Sequence, residues 1–295
     1  MSRSTNAMRE AKQADGNRAF SIYEVSSCLK KSWPARTKSF LTLSFGLFRI
    51  GGVEMDEIGL FEAMYTARAL RRLKPDPVPE ELINKLLDAA IRAPSGGNAQ
   101  NWIFIVVRDG AQRRRLGAIY RKASDEVAEI YAARGRPPHL TERQYQRMMD
   151  GGAYLWDHMA DAPVLLVPCL RKRDMPPREA LPPQVAARYD VHLAYQQRIF
   201  GASIYPAVQN LILACRALGL GTTITTNHIL YETEIRAALG LPDDVFTFAL
   251  MPIGFPLDHP GTLARRPVAE VTFAERWGEP WPGAAAQSSS TLTGT

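Results

Sequence analysis

Three short apolar runs, WIFIVVRD (102–109), APVLLVPCL (162–170) and VFTFALMPIG (245–254), are separated by long segments whose apolar residues recur at helical spacing. Each run is too short for a buried helix and is rich in β-branched and aromatic residues, so each reads as a strand. A strand apolar at successive positions, as the first two are, has both faces covered. Strands alternating with helices in this way place one sheet between helical layers, an α+β or α/β architecture.

The intervening segments carry their own punctuation. IGLFEAMYTARAL (58–70) is an amphipathic helix by its spacing. PEELINKLLDAAIRA (79–93) is a second, with Pro79 suited to the first turn and Glu80 and Glu81 at the positive end of the dipole. Residues 111–134 and 141–160 read as mostly helical. GASIYPAVQNLILACRALGLG (201–221) is apolar over much of its circumference, a central helix closed by Gly219 or Gly221. TTITT (222–226) is a short β-branched strand, and YETEIRAALG (231–240) a helix ended by Gly240. Residues 171–190 are polar and Pro-rich, a loop too long to be a mere connector.

A chain of 295 residues, 46% hydrophobic, supports a substantial core, and with no internal repeat the expectation is one folded domain over 55–282. Residues 1–54 differ in character. They are rich in Ser, Arg and Lys, match a secretory signal poorly, and read as a flexible or mis-annotated extension with Met55 as an alternative start. Residues 283–295 read as a disordered tail. The net charge of +6 is carried by the leader: nine Lys/Arg and four Asp/Glu fall in 1–54, leaving about +1 for the rest. That is too little for a groove tracking nucleic-acid phosphates. Cys28, Cys169 and Cys215 show no paired spacing, which suits a reducing, cytoplasmic setting. The five histidines have no metal-ligand spacing, and no apolar run is long enough to span a membrane.

Four polar clusters remain to be explained. ARALRRLKP places Arg68, Arg71 and Arg72 where a helix gives way to an extended segment. Their forked donors match phosphate oxygens, and Arg68 and Arg71, three apart, can share a side. RAPSGGNAQNW (92–102) crowds Pro94, Ser95, Gly96, Gly97, Asn98 and Gln100 into a helix-to-strand connection that needs only one or two such residues. GLGTTITTNH puts Thr222, Thr223, Thr225 and Thr226 after the central helix, and LARRPVAEV puts Arg265 and Arg266 before a proline near the C-terminus.

In this order and spacing the chain resembles the FMN-dependent nitroreductase family over about residues 55–278. The resemblance rests on RALRRLKPDPVPEELINKLLDAAIRAPSGGNAQNWIFIVVRD, YPAVQNLILACRALGLGTT, MPIGFP and RRPVAEV. It implies an α+β fold, a mainly antiparallel sheet flanked by helices, assembled as a homodimer with FMN at the subunit interface. It implies that Arg68 and Arg265 hold the FMN phosphate and that Arg71 lies near the flavin N1–C2=O edge. Pro94, Ser95, Gly96 and Asn98 would contact the isoalloxazine and ribityl chain, and Thr225 or Thr226 would lie near N5. Ala69 stands where the family commonly has Ser, Leu73 where it has an aromatic and Asn101 where it has Pro. The implied reaction is hydride transfer from NADH or NADPH, through the flavin, to a small electron-poor acceptor such as a nitroaromatic or quinone. Reductive dehalogenation, flavin-consuming chemistry or a non-enzymatic redox module are the alternatives on the same scaffold. No catalytic side chain is singled out. Residues 121–200 would form the substrate wall, with Tyr154, Trp156, Tyr195 and Phe200 either lining it or serving as core.

Overall fold

The computed structural model describes residues 48–50, 53–55, 58–259, 261–263 and 265–283. In chain order these form β1 (Phe48–Ile50), β2 (Val53–Met55), α1 (Leu60–Thr66), α2 (Glu80–Ala90), β3 (Trp102–Val107), α3 (Gly110–Arg134), α4 (Glu142–His158) and β4 (Val164–Arg171). There follow α5 (Pro183–Ala186), α6 (Tyr189–Ile199), α7 (Ile204–Ala217), β5 (Gly221–Thr222), α8 (Glu232–Leu239), β6 (Val245–Thr247) and β7 (Met251–Gly254). Strands β1 and β2 pair as an antiparallel hairpin of their own, so β2 crosses the boundary expected at residue 54. The remainder of 1–54, and all of 284–295, lie outside the described residues.

The main sheet is built on β4, and every pairing in it is antiparallel. Its order is β3-β4-β7-β5, with β6 also on β4. Alternation along β4 divides the core in two, because successive side chains point to opposite faces. Val164, Leu166 and Leu170 pack with Leu82 and Leu86 of α2 and Val208 and Leu211 of α7. Leu165, Val167 and Cys169 pack on the other face with Leu116 and Tyr120 of α3, Leu155 of α4 and Ile235 of α8. This is the continuous apolar signature expected of a strand covered on both sides. Edge strand β3 is only half-buried over Trp102–Val106, so its apolar run overstated its burial.

The run VFTFALMPIG is not one strand. Cys169 pairs Thr247 while Leu166 pairs Met251, so three steps along β4 are matched by four along its neighbour. The extra residue makes a β-bulge, which splits the run into β6 and β7 and turns the Leu250 carbonyl aside. Thr225 meets it there, donating Oγ1–H to Leu250 O at 2.7 Å and accepting from the Leu250 N–H through its own carbonyl at 2.9 Å. The strand expected over TTITT is correspondingly short, two residues of β5 plus this bridge.

Helix α7 ends as its sequence requires. Gly219 takes φ +67°, and the Leu220 N–H donates to Cys215 O at 2.8 Å, closing the last turn. Gly221 serves a different purpose: a Cβ there would lie 2.7 Å from Leu73 Cδ2, so glycine lets the 70–73 segment lie against β5. Helix α1 stops at Thr66 rather than running on to Leu70, and Pro79 caps α2 from outside its first turn.

Candidate functional site

The stretch after α1 is held by backbone bonds on two sides. Leu70 N–H donates to Thr222 O at 3.0 Å, and Lys74 N–H to Phe255 O at 2.7 Å. Beyond β7 the chain returns past α1, where Leu263 N–H donates to Tyr65 O at 3.0 Å. These contacts bring the two arginine clusters, nearly 200 positions apart in sequence, to one cavity of about 700 Å³. Arg68, Ala69, Thr222, Thr223, Arg265 and Arg266 are among its lining. A Cβ at Gly261 would come within 3.4 Å of Arg68 Nη1, so the returning segment passes close to that guanidinium. Arg266 pairs with Glu270 at 2.9 Å, whereas no carboxylate among the described residues pairs with Arg68. Thr222 Oγ1 is buried there without a hydrogen-bond partner. A buried orphan hydroxyl is costly unless something else completes it. Guanidinium donors beside that hydroxyl, in a cavity of cofactor size, fit a terminal phosphate. Ala69 offers only a methyl group to this cavity.

A second cavity, of about 330 Å³, shares Thr223 and Ile224 with the first. Arg71, Tyr120, Tyr131, Trp156, Thr225 and Thr226 are in its wall. Burial pushes the Arg71 guanidinium below its usual pKa, and the nearby charge of Arg68 acts in the same direction. No carboxylate among the described residues pairs with it. A desolvated cation of this kind gains most from an incoming negative charge. Gly151 of α4 makes room for it, since a Cβ there would lie 3.3 Å from Arg71 Nη1.

Tyr120, 2% exposed, lies in this wall, and burial raises its pKa. Asn227 Nδ2 donates to Ser124 Oγ at 3.1 Å. Thr225 has one hydroxyl hydrogen, and Leu250 O takes it. Thr226, exposed in the same wall, has no described partner for its hydroxyl. Behind the wall, Thr247 donates both N–H (2.7 Å) and Oγ1–H (3.2 Å) to Glu232 Oε1. The buried His228 must then donate Nε2–H to Thr247 Oγ1, at 3.2 Å, which leaves its Nδ1 lone pair without a partner. Burial pushes this imidazole down to about 4.

The loop expected to wrap the cofactor stands elsewhere in the chain. Gly97, Asn98 and Gln100 take φ of +58°, +52° and +48°. Ser95 Oγ accepts from the Gln100 N–H at 3.0 Å, and Asn98 Oδ1 accepts from Gln100 Nε2 at 3.1 Å. The Gly96 N–H donates to Ser203 Oγ at 3.1 Å, which fixes the loop at the N-terminus of α7. Gln209 and Ile212 of the same helix line the larger cavity. Six and nine residues at 1.5 Å each put them about 9 and 13 Å further along the axis. Pro94, Ser95, Gly96 and Asn98 line neither cavity.

The structure thus gathers Arg68, Ala69 and Arg265 in one cavity and Arg71, Thr225 and Thr226 in its neighbour, and leaves the loop outside both. Of the aromatics in doubt, Trp156 lines the smaller cavity and Phe200 packs edge-on against Phe246 and Phe248. Tyr154 lies under the Arg72 guanidinium, and Tyr195 is exposed. Sequence reasoning missed Tyr120, Ser124 and Asn227. Their only sequence signal is a four-residue helical spacing of Tyr120 and Ser124, which reads equally well as core.

An "NADH dehydrogenase" of Thermus thermophilus is 30% identical over 70% of this chain and 91% of that protein. A "5,6-dimethylbenzimidazole synthase" of Rhodospirillum rubrum is 30% identical over 71% and 91%. The crystal structure of oxidized iodotyrosine deiodinase bound to FMN and 3-iodo-L-tyrosine has the same fold, with a TM-score of 0.50 and 23% identity over 70% of this chain and 95% of that one. Residues 65–255, which include Arg68, Arg71 and both threonines, match the Nitroreductase family. The chain belongs to that family.

Proposed function

We propose that the protein is an FMN-dependent oxidoreductase that takes hydride from NADH or NADPH and passes it to a small electron-poor acceptor, such as a nitroaromatic or quinone. The observation that carries this reading is the pair of adjoining cavities, one with Arg68, Arg265 and the orphan Thr222 hydroxyl, the other with the desolvated Arg71. The first suits a phosphate, and the second suits a ring system that gains negative charge. When bound, the flavin supplies the hydride chemistry, and the protein supplies position and electrostatics. Arg71 would answer charge developing on the ring without reorganisation. Thr226 would offer its hydroxyl, because Thr225 has already given its hydrogen to Leu250 O. The similarity to the Thermus NADH dehydrogenase supports a nicotinamide reductant.

The loop at 94–98 finds its place in this reading if two copies pair. An exposed loop with three backbones in the left-handed region, fixed by its own chain at the N-terminus of α7 and lining neither cavity, fits service to a second copy's flavin. Helix α1 leaves Leu60, Phe61, Met64 and Tyr65 exposed beside the larger cavity, apolar surface that a homodimer would cover. Buried free thiols at Cys169 and Cys215 suit the cytoplasm. Among the described residues no helix is long and apolar enough to cross a membrane.

The decisive experiment uses the purified full chain. Denaturation should release FMN, identified by mass, and NADH or NADPH should bleach the bound flavin under anaerobic conditions. Colour should return on adding a nitroaromatic or quinone. Release of FAD, or no flavin after reconstitution, overturns the cofactor, and a flavin that neither nicotinamide bleaches overturns the reaction. A second reading on the same scaffold is reductive dehalogenation, in keeping with the deiodinase fold neighbour, or flavin-consuming chemistry. Loss of flavin under oxygen, or halide release from a halophenol, would select it.

A further inference from the structure

Arg216 lies in the last turn of α7, among neither the phosphate-matching arginines of the sequence nor the lining of the two cavities. Its side chain is 18% exposed and reaches across to α1. Arg216 Nε donates to Thr66 Oγ1 at 2.8 Å, and Nη2 lies 3.5 Å from Glu62 Oε1. The hydroxyl of Thr66 gives its one hydrogen to Glu62 O at 2.6 Å, so towards Arg216 it can only accept. The result is a directional chain, Arg216 to Thr66 to the Glu62 carbonyl, closed across the final turn of α1. Thr66 is the last residue of that helix, and its carbonyl accepts from the Arg68 N–H at 2.8 Å. Arg68, Arg216 and the orphaned Thr222 also line one small cleft between α1, α7 and β5.

The segment from Ala67 to Arg72 has no regular structure of its own to hold Arg68. What precedes it is a helix of seven residues, too short to be stable without tertiary support. Arg216 provides that support from a helix C-terminus, where a cation also complements the dipole.

We propose that Arg216 is a positioning residue for the flavin phosphate: by fixing the end of α1 through Thr66 it sets Arg68 at the cavity it lines. This rests on the flavin reading above, and the test separates the two. Affinities for FMN and for riboflavin, which lacks the phosphate, are measured by flavin fluorescence on the full chain stripped of its cofactor. The variants are Arg216→Met, Thr66→Val, their combination, and Arg68→Met as the direct contact. Arg216→Met and Thr66→Val should each weaken FMN roughly 3- to 10-fold, the effect of losing one net hydrogen bond. Riboflavin affinity should stay unchanged. The double variant should be no worse than the poorer single, because both changes break one chain. Arg216→Lys, which keeps the charge but not the fork, should fall between wild type and Arg216→Met. If riboflavin weakens as much as FMN, the residue is merely structural and the proposal is overturned. It is overturned too if FMN affinity is unmoved in both single variants. If Arg68→Met leaves the preference for FMN over riboflavin intact, the phosphate site itself is wrong. Thr66→Val removes so little that it carries the test alone if Arg216→Met does not fold.

Discussion

Arg71 and His228 are both desolvated, but they put burial to opposite uses. Arg71 keeps its charge in a wall with no described carboxylate, which makes it a standing attraction for negative charge. Arg71→Ala should lower the two-electron potential of the bound flavin by on the order of 30–60 mV, since 30 mV corresponds to about 1.4 kcal/mol for such a couple. Dye-equilibrated reduction of wild type and variant measures it, and an unchanged potential would remove Arg71 from this role. His228 gives up its charge instead. Its folded pKa, about 4, lies below the ordinary 6.5, so the unfolded chain takes up the proton first as pH falls. The contribution of this residue is complete above about pH 6.5 and is lost progressively between pH 6.5 and 4. The span is worth about 3 kcal/mol by linkage. His228→Gln can still donate to Thr247 and cannot titrate there, so urea denaturation should show a flatter loss of stability across that window than wild type. Equal slopes would show that the ring is protonated without penalty.

At the scale of elements, local sequence fixed the ends of α7 and α8 and misjudged α1 and the last long apolar run. Gly219 and Gly240 adopt the positive φ that stops a helix, as their places after apolar periodic segments suggest. Helix α1 stops early because residues 70–74 are claimed by Thr222 and Phe255 as edge partners, a contact between positions far apart in the chain. The bulge at 248–250 is silent in VFTFALMPIG for the same kind of reason: it depends on which residues of β4 lie opposite. The loop at 94–100 is the reverse case. Its composition marked it as more than a plain turn, and Gly97, Asn98 and Gln100 adopt left-handed backbones there, with right-handed Ala99 between them. For Asn98 and Gln100 that conformation costs on the order of 1 kcal/mol each, a cost retained where a site needs the shape.

For the whole molecule, the separation of the loop from the arginines has a consequence that can be counted. If each flavin takes its arginines from one chain and its loop from the other, two defective chains should complement one another. Arg68→Glu and Asn98→Glu homodimers should each retain little FMN. Co-refolded in equal amounts, half of the dimers are mixed, and each mixed dimer contains one intact site and one doubly defective one. About one quarter of the sites should therefore regain flavin, read by absorbance after desalting. No recovery, together with a flavin-loaded monomer in sedimentation, would assign loop and arginines to a single chain.

What the sequence determined by itself was local or compositional. Apolar patterning was enough for the strand Val164–Arg171, buried from 164 to 170, and for the central helix Ile204–Ala217, whose apolar residues far outnumber Gln209, Asn210 and Arg216. The arginine, threonine and glycine clusters, each weak alone, led to the kind of ligand through their joint resemblance to the nitroreductase family. Tertiary structure decided which clusters meet. Chain return past α1 joined Arg265 to Arg68, α7 kept the loop from both, and a bulge facing Leu166–Cys169 chose between Thr225 and Thr226 by taking the hydrogen of one of them. Each of these turns on a distance between residues remote in sequence, and residue type and local spacing carry no record of it.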